Sequence, residues 1–147
     1  MTGRSLFAIL AGGVVVSGGM ALLAQQPAAK TPAPSTAVVQ VRMTGNGTTT
    51  AAFEPSTVTI KESGTVRFVM ASGGPHNVAF YPDSIPANAA AALRAGMPHP
   101  MSDLIGPLLT KAKETYDVSF AGAPKGTYKT YCMPHVALGM KLTIKVE

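Results

Sequence analysis

The chain has 147 residues, 46% of them hydrophobic and 13% charged, with a formal net charge of +5. That length holds one domain of about 100 residues plus appendages, and the composition excludes a disordered chain. The basic residues Arg42, Lys61, Arg67, Arg94, Lys111, Lys125 and Lys141 form no run. A nucleic-acid-binding cluster is thereby excluded, and the charge supports only weak attraction to an acidic partner. Cys132 is the single cysteine, so no intramolecular disulfide can form. In an oxidising compartment such a thiol must be buried or bound to metal.

Residues 1–24 read as an export signal, with Arg4 leading an apolar run from Leu6 to Ala24 broken only by Gly and Ser. The run also approaches the ~20 residues that span a bilayer, so an uncleaved membrane anchor is the competing reading. The signal would place the protein in the periplasm or otherwise outside the cytoplasm. Residues 25–36 (QQPAAKTPAPST) are a Pro- and Ala-rich spacer without periodicity. The folded domain is expected over residues 37–147.

From there the hydrophobic pattern has period two, as strands require. Val39, Val41 and Met43 alternate with polar residues, and Asn46-Gly47 follows in a polar turn. Asn46-Gly47-Thr48 matches a glycosylation sequon but reads as a plain turn. Val58 and Ile60 form the next strand, and Ser63-Gly64 turns the chain into Val66, Phe68 and Met70. Beyond Gly73-Gly74-Pro75, His76, Val78 and Phe80 share one face. Ala87–Arg94 predicts a short surface helix ending at Gly96, and Ser102–Leu109 one further helical turn. Three more strands carry Tyr116, Val118 and Phe120, then Tyr128, Thr130 and Cys132, then Leu142, Ile144 and Val146. Seven short strands separated by turns predict an all-β, two-sheet sandwich.

The chemistry concentrates in Tyr131-Cys132-Met133-Pro134-His135-Val136-Ala137-Leu138-Gly139-Met140. A thiolate, an imidazole and a thioether on one short loop are a soft ligand set suited to copper. Cys and two His with a long, weak Met bond make a blue-copper electron-transfer site. The loop lacks one histidine, and His76 in Gly73-Gly74-Pro75-His76-Asn77 is the natural source. Strand parity puts His76, Cys132 and Met140 on core-facing positions and leaves His135 nearest the surface. Tyr131 should point the other way, to the outside.

These motifs, together with Gly126-Thr127-Tyr128-Lys129, resemble the cupredoxins, and most nearly the plastocyanin and pseudoazurin branch. The resemblance covers about residues 38–147. It implies a Greek-key β-sandwich, eight-stranded or similar, with a type 1 copper ion at one end. It implies His76, Cys132 and His135 as equatorial ligands, Met140 as the axial one, and Asn77 as the tie between the two ligand loops. Three departures concern the surface and packing. The acidic patches of plant plastocyanins are missing, with Tyr81-Pro82-Asp83-Ser84 the nearest remnant; Thr130 stands where an aromatic residue is usual, and Leu142 where a glycine often follows the methionine.

The expected function is one-electron transport between transient redox partners by a monomer. The alternative is a copper chaperone or buffer, in which His99 of Met97-Pro98-His99-Pro100-Met101 joins a labile second site. An enzyme is not expected. Copper oxidases and nitrite reductases need further histidine-rich sites, and the chain has three histidines in all. Met133, Pro134, Val136 and Leu138 would either form an apolar docking patch around His135 or be buried under the loop after Gly96.

Overall fold

The computed structural model describes residues 37–147; the leader of residues 1–24 and the spacer of residues 25–36 lie outside the described residues. Eight strands form two four-stranded sheets. β1 (Val38–Gly45), β2 (Ala51–Glu54), β4 (Thr65–Met70) and β6 (Thr115–Ser119) make one sheet, in the order β2-β1-β4-β6. β3 (Thr57–Ile60), β8 (Lys141–Val146), β7 (Gly126–Tyr131) and β5 (Ala79–Phe80) make the other, in the order β3-β8-β7-β5. β1 with β4 and β3 with β8 run parallel, and the remaining neighbours antiparallel.

Alternation fixes which face of each sheet turns inward. In β4, Val66, Phe68 and Met70 are buried and Arg67 is exposed; in β8, Leu142, Ile144 and Val146 are buried and Lys141 and Lys145 exposed. The inner faces join in one core, where Phe120 meets Phe80 and Tyr128 edge to face at 6.2 and 5.2 Å. Tyr128 is wholly buried, and its hydroxyl donates to the Pro124 carbonyl at 2.6 Å.

The helix α1 (Ala89–Gly96) lies against β6, with Ala89 and Leu93 buried four residues apart on one face. It ends on glycine because a Cβ at Gly96 would collide with the backbone of Ser119.

Three expectations need correction. β2 was not legible: Ala51-Ala52-Phe53-Glu54 lacks a β-branched residue, and only Phe53 among them is fully buried. The turn before it supplies the cause of its pairing. Asn46 Oδ1 accepts the backbone N–H groups of Thr48, Thr49 and Thr50 at 3.0, 2.9 and 3.0 Å, which returns the chain along β1. Residues 76–80 do not alternate; all five are buried, and only Ala79–Phe80 is regular strand. The reason is the third correction: residues 102–109 form no helix; Ser102–Ile105 make a tight turn with Leu104 at φ 55°, and the chain continues to Leu109 as an irregular strap. It bonds to this segment through Phe80 N–H to Leu104 C=O and Gly106 N–H to Val78 C=O, at 3.0 and 2.8 Å.

Candidate metal centre

The centre lies where β7 ends and where the chain passes from β4 towards β5. Gly73 has φ 71°, and a Cβ there would collide with the Gly45 backbone, so only glycine lets this turn close against the end of β1. His76 follows three residues later. Its N–H donates to Leu109 C=O at 3.0 Å, and Leu109 N–H donates back to His76 C=O at 2.7 Å, so the strap holds the His76 backbone on both sides.

On the other side, β7 delivers Cys132, and a 3-10 segment, Met133–Leu138, carries the chain around. Gly139 ends it at φ 80°, a left-handed position that favours glycine. Backbone hydrogen bonds then close the loop: Cys132 N–H to Met140 C=O at 3.1 Å, His135 N–H to Cys132 C=O at 3.2 Å, and Met140 N–H to His135 C=O at 3.3 Å. A spacing of three and five residues thus becomes a compact turn that carries the sulfur, the imidazole and the thioether residue.

The two segments bring three donor atoms together. Cys132 Sγ lies 3.7 Å from His76 Nδ1 and 3.6 Å from His135 Nδ1, and the two nitrogens are 3.1 Å apart. A circle through the corners of that triangle has a radius of about 2.0 Å, close to metal–imidazole bonds of ~2.0–2.1 Å and metal–thiolate bonds of ~2.3 Å. The donor set therefore fits one metal ion. Among the described residues these three form the one metal-ligating group of His, Cys and carboxylates. Met140 is fully buried, and its backbone bonds both Cys132 and His135, as sequence parity anticipated.

Hydrogen bonding sets the state of each donor. His76 Nε2 lies 2.8 Å from the Ser72 carbonyl, which can only accept, so Nε2 carries the proton and Nδ1 keeps a free lone pair. Burial lowers the His76 pKa, the Ser72 contact opposes this, and nearby His135 lowers it further. Burial pushes the Cys132 thiol up, while the backbone N–H groups of Asn77 and His135 stabilise the thiolate. Asn77 also accepts the Met133 N–H at 2.8 Å through Oδ1, joining the two ligand segments as expected.

The arrangement agrees with what comparison finds. Residues 39–147 match the model of the copper binding proteins of the plastocyanin/azurin family. The chain belongs to this family. The plastocyanin of Prochlorothrix hollandica is 37% identical over 134 residues, which cover 91% of this chain and 87% of that protein. Among solved structures, oxidised plastocyanin of the fern Dryopteris crassirhizoma has a TM-score of 0.58 at 26% identity, over 74% of this chain and 100% of that one. A Sinorhizobium meliltoi pseudoazurin has a TM-score of 0.52, also at 26% identity, over 75% of this chain and 73% of that one. The protein is a plastocyanin-like electron carrier with a type 1 copper ion as cofactor, and it is not an enzyme.

The remaining residues singled out in the sequence fall outside the centre. His99 is exposed at φ 48°, Met97 is buried in the core, and Met101 is exposed. Met133, Val136 and Leu138 are 40%, 38% and 40% exposed, so they form a surface patch instead of lying under the loop after Gly96. Tyr131 does point away from the core, where it stacks on Tyr81 with ring centroids 4.3 Å apart. Ser72 and Leu109 were missed in the sequence. Both act through backbone atoms, for which residue identity gives no signal.

Proposed function

We propose that His76, Cys132 and His135 hold the copper ion as equatorial ligands, with Met140 as the long axial one, and that the chain passes single electrons between protein partners by way of His135. The observation that carries this reading is the triangle of two Nδ1 atoms and one Sγ, all buried and fixed from behind. When bound, copper supplies a one-electron Cu(II)/Cu(I) couple tuned by the axial ligand and by hydrogen bonds to the Cys132 sulfur.

The protein residues keep that site rigid and dry. Ser72 and the strap hold His76, Asn77 ties Met133 to the His76 segment, and the loop bonds hold Cys132 and His135. Ligands held this way have little room to move between oxidation states, which favours fast transfer. His135 is 6% exposed and the other three are closed to solvent, so the shortest way out runs through its ring. Met133, Val136 and Leu138 rim it with apolar surface, suited to a small, transient interface. The carrier reading is also supported by the surroundings of His99: it joins no group of His, Cys and carboxylates among the described residues, and the neighbouring Met97 is buried in the core while Met101 is exposed.

Export to an oxidising compartment is supported by the apolar run after Arg4 and by the buried lone thiol. Intact mass of the protein recovered from its host cell separates a cleaved leader from an anchor. The deciding test of function is the visible spectrum of the Cu(II)-loaded protein before and after a reductant. An intense thiolate-to-copper band that bleaches reversibly is expected, and Cys132→Ser should abolish it. A copper-loaded protein without that band overturns the reading.

A further inference from the structure

A groove of about 420 Å³ opens on the outer face of the β3-β8-β7-β5 sheet, between β7, β8 and the turn after β5. Tyr81 and Ser84 line one side, and Lys129, Lys141 and Thr143 are among the residues that complete it. Tyr81 is held in place by its stack on Tyr131, and Lys129 Nζ donates to Thr143 Oγ1 at 2.9 Å. Lys145 shares the outward parity of Lys141 and Thr143 on β8. The groove is therefore shaped by aromatic and threonine side chains and carries positive charge.

The rest of the molecule does not neutralise that charge. The chain has seven carboxylate side chains, none of them in its first 36 residues. Glu54, Glu62, Asp103 and Asp117 pair with Arg42, Lys125, Arg94 and Arg67. Glu114 accepts the N–H groups of Thr110 and Lys111. Asp83 is exposed on the turn between Tyr81 and Ser84 without lining the groove, and Glu147 is the last residue of the chain. Among the described residues no ion pair involves Lys129, Lys141 or Lys145. The opposite sheet differs, since its outward Arg42 and Arg67 each face a carboxylate across a strand pair.

We propose that this groove is a docking site for an acidic segment of the redox partner, with carboxylates meeting Lys129 and Lys141 and an apolar side chain against Tyr81. It rests on the electron-carrier reading, because it names the kind of partner that reading requires. Charges placed like this steer encounter and fix orientation more than they add affinity. The face is separate from the apolar rim of His135, so a partner engaging both is oriented as well as attracted.

The test uses the full chain loaded with copper and reduced, titrated with poly-L-glutamate at low ionic strength and followed by amide chemical shifts. Shifts should cluster at residues 81–84, 129–131 and 141–143. The double variant Lys129→Gln/Lys141→Gln should bind roughly three- to tenfold more weakly, as two exposed charge pairs imply. Lys111→Gln/Lys113→Gln, with the same loss of charge, should change binding far less. Equal weakening by both variants, or shifts spread over the surface, overturns the proposal. So does a response of these amides to phosphatidylglycerol vesicles without one to polyglutamate, since the occupant is then a lipid surface. The visible spectrum of the same sample, recorded in the Cu(II) state before the reductant is added, reads the copper site independently. A normal blue band with no clustered shifts sinks the groove alone, whereas a missing band sinks the carrier reading.

Discussion

Asn77 Oδ1 accepts the backbone N–H of Met133 at 2.8 Å, joining residues 56 apart in sequence, each beside a copper ligand. The same asparagine's backbone N–H favours the Cys132 thiolate, opposing the rise that burial imposes on the thiol pKa. One residue thus positions the second ligand segment and stabilises the thiolate. Asn77→Ala leaves the Met133 N–H without its partner, at a cost of about 1–3 kcal/mol. Thermal unfolding should show the loss, and the thiolate-to-copper band should shift or weaken. A variant with unchanged melting temperature and spectrum contradicts this role.

Met140→Leu keeps the buried volume nearly constant and removes the thioether, so the protein should still fold and bind copper. A thioether donor favours Cu(II) only weakly, yet its loss leaves Cu(I) the better-served state. The reduction potential should rise by about 59 mV for each tenfold loss in Cu(II) affinity relative to Cu(I). Voltammetry checks it, and an unchanged potential removes Met140 from the ligand set.

Tyr116 is the one residue in the described core with a buried hydroxyl that finds no hydrogen-bond partner. Burial pushes its pKa up to about 12 from an ordinary 10.0. The neutral form is favoured in the fold, so this contribution to stability is complete below pH 10. It is lost as pH rises from 10 through about 12. Tyr116→Phe keeps the ring packed against Gly106 and removes the desolvated hydroxyl. It should leave stability at pH 7 unchanged or raise it by about 1–3 kcal/mol, and should flatten the alkaline loss. Denaturant midpoints at pH 7 and pH 11 test both parts, and a destabilised variant at pH 7 would falsify the first.

The two sheets share one continuous cluster of buried side chains, so copper removal should leave the β-sheet circular dichroism in place. Copper at 100 times its dissociation constant adds about 2.7 kcal/mol to stability, roughly 10–20 °C for a domain of this size. Thermal melts with and without a copper chelator measure it. Equal melting temperatures would mean that the folded and unfolded chains bind copper alike.

Much of this was legible before any tertiary contact was known, and the reasons are local. The ligand loop announces itself because Cys132, His135 and Met140 sit within nine residues, too close for chance placement of three soft donors. Strand parity places Cys132 and Met140 inward because side chains alternate by geometry alone. Helix α1 follows from its alanines and its terminal glycine. β2 was illegible because two alanines and one phenylalanine carry no alternation, and its pairing is set by the Asn46 turn instead.

By itself, the sequence determined the sandwich, the soft donor set and the inward parity of Cys132 and Met140, since these depend on side-chain identity and spacing. Tertiary structure alone decided that His76 Nδ1 comes 3.1 Å from His135 Nδ1, 59 residues further along the chain. It also decided that residues 102–109 run as a strap against His76, and that three lysines of one sheet face are left without a carboxylate. The physical reason is common to all three. Backbone hydrogen bonds such as those of Leu109 and Ser72 depend on no particular side chain, and the pairing of charges depends on which strands become neighbours.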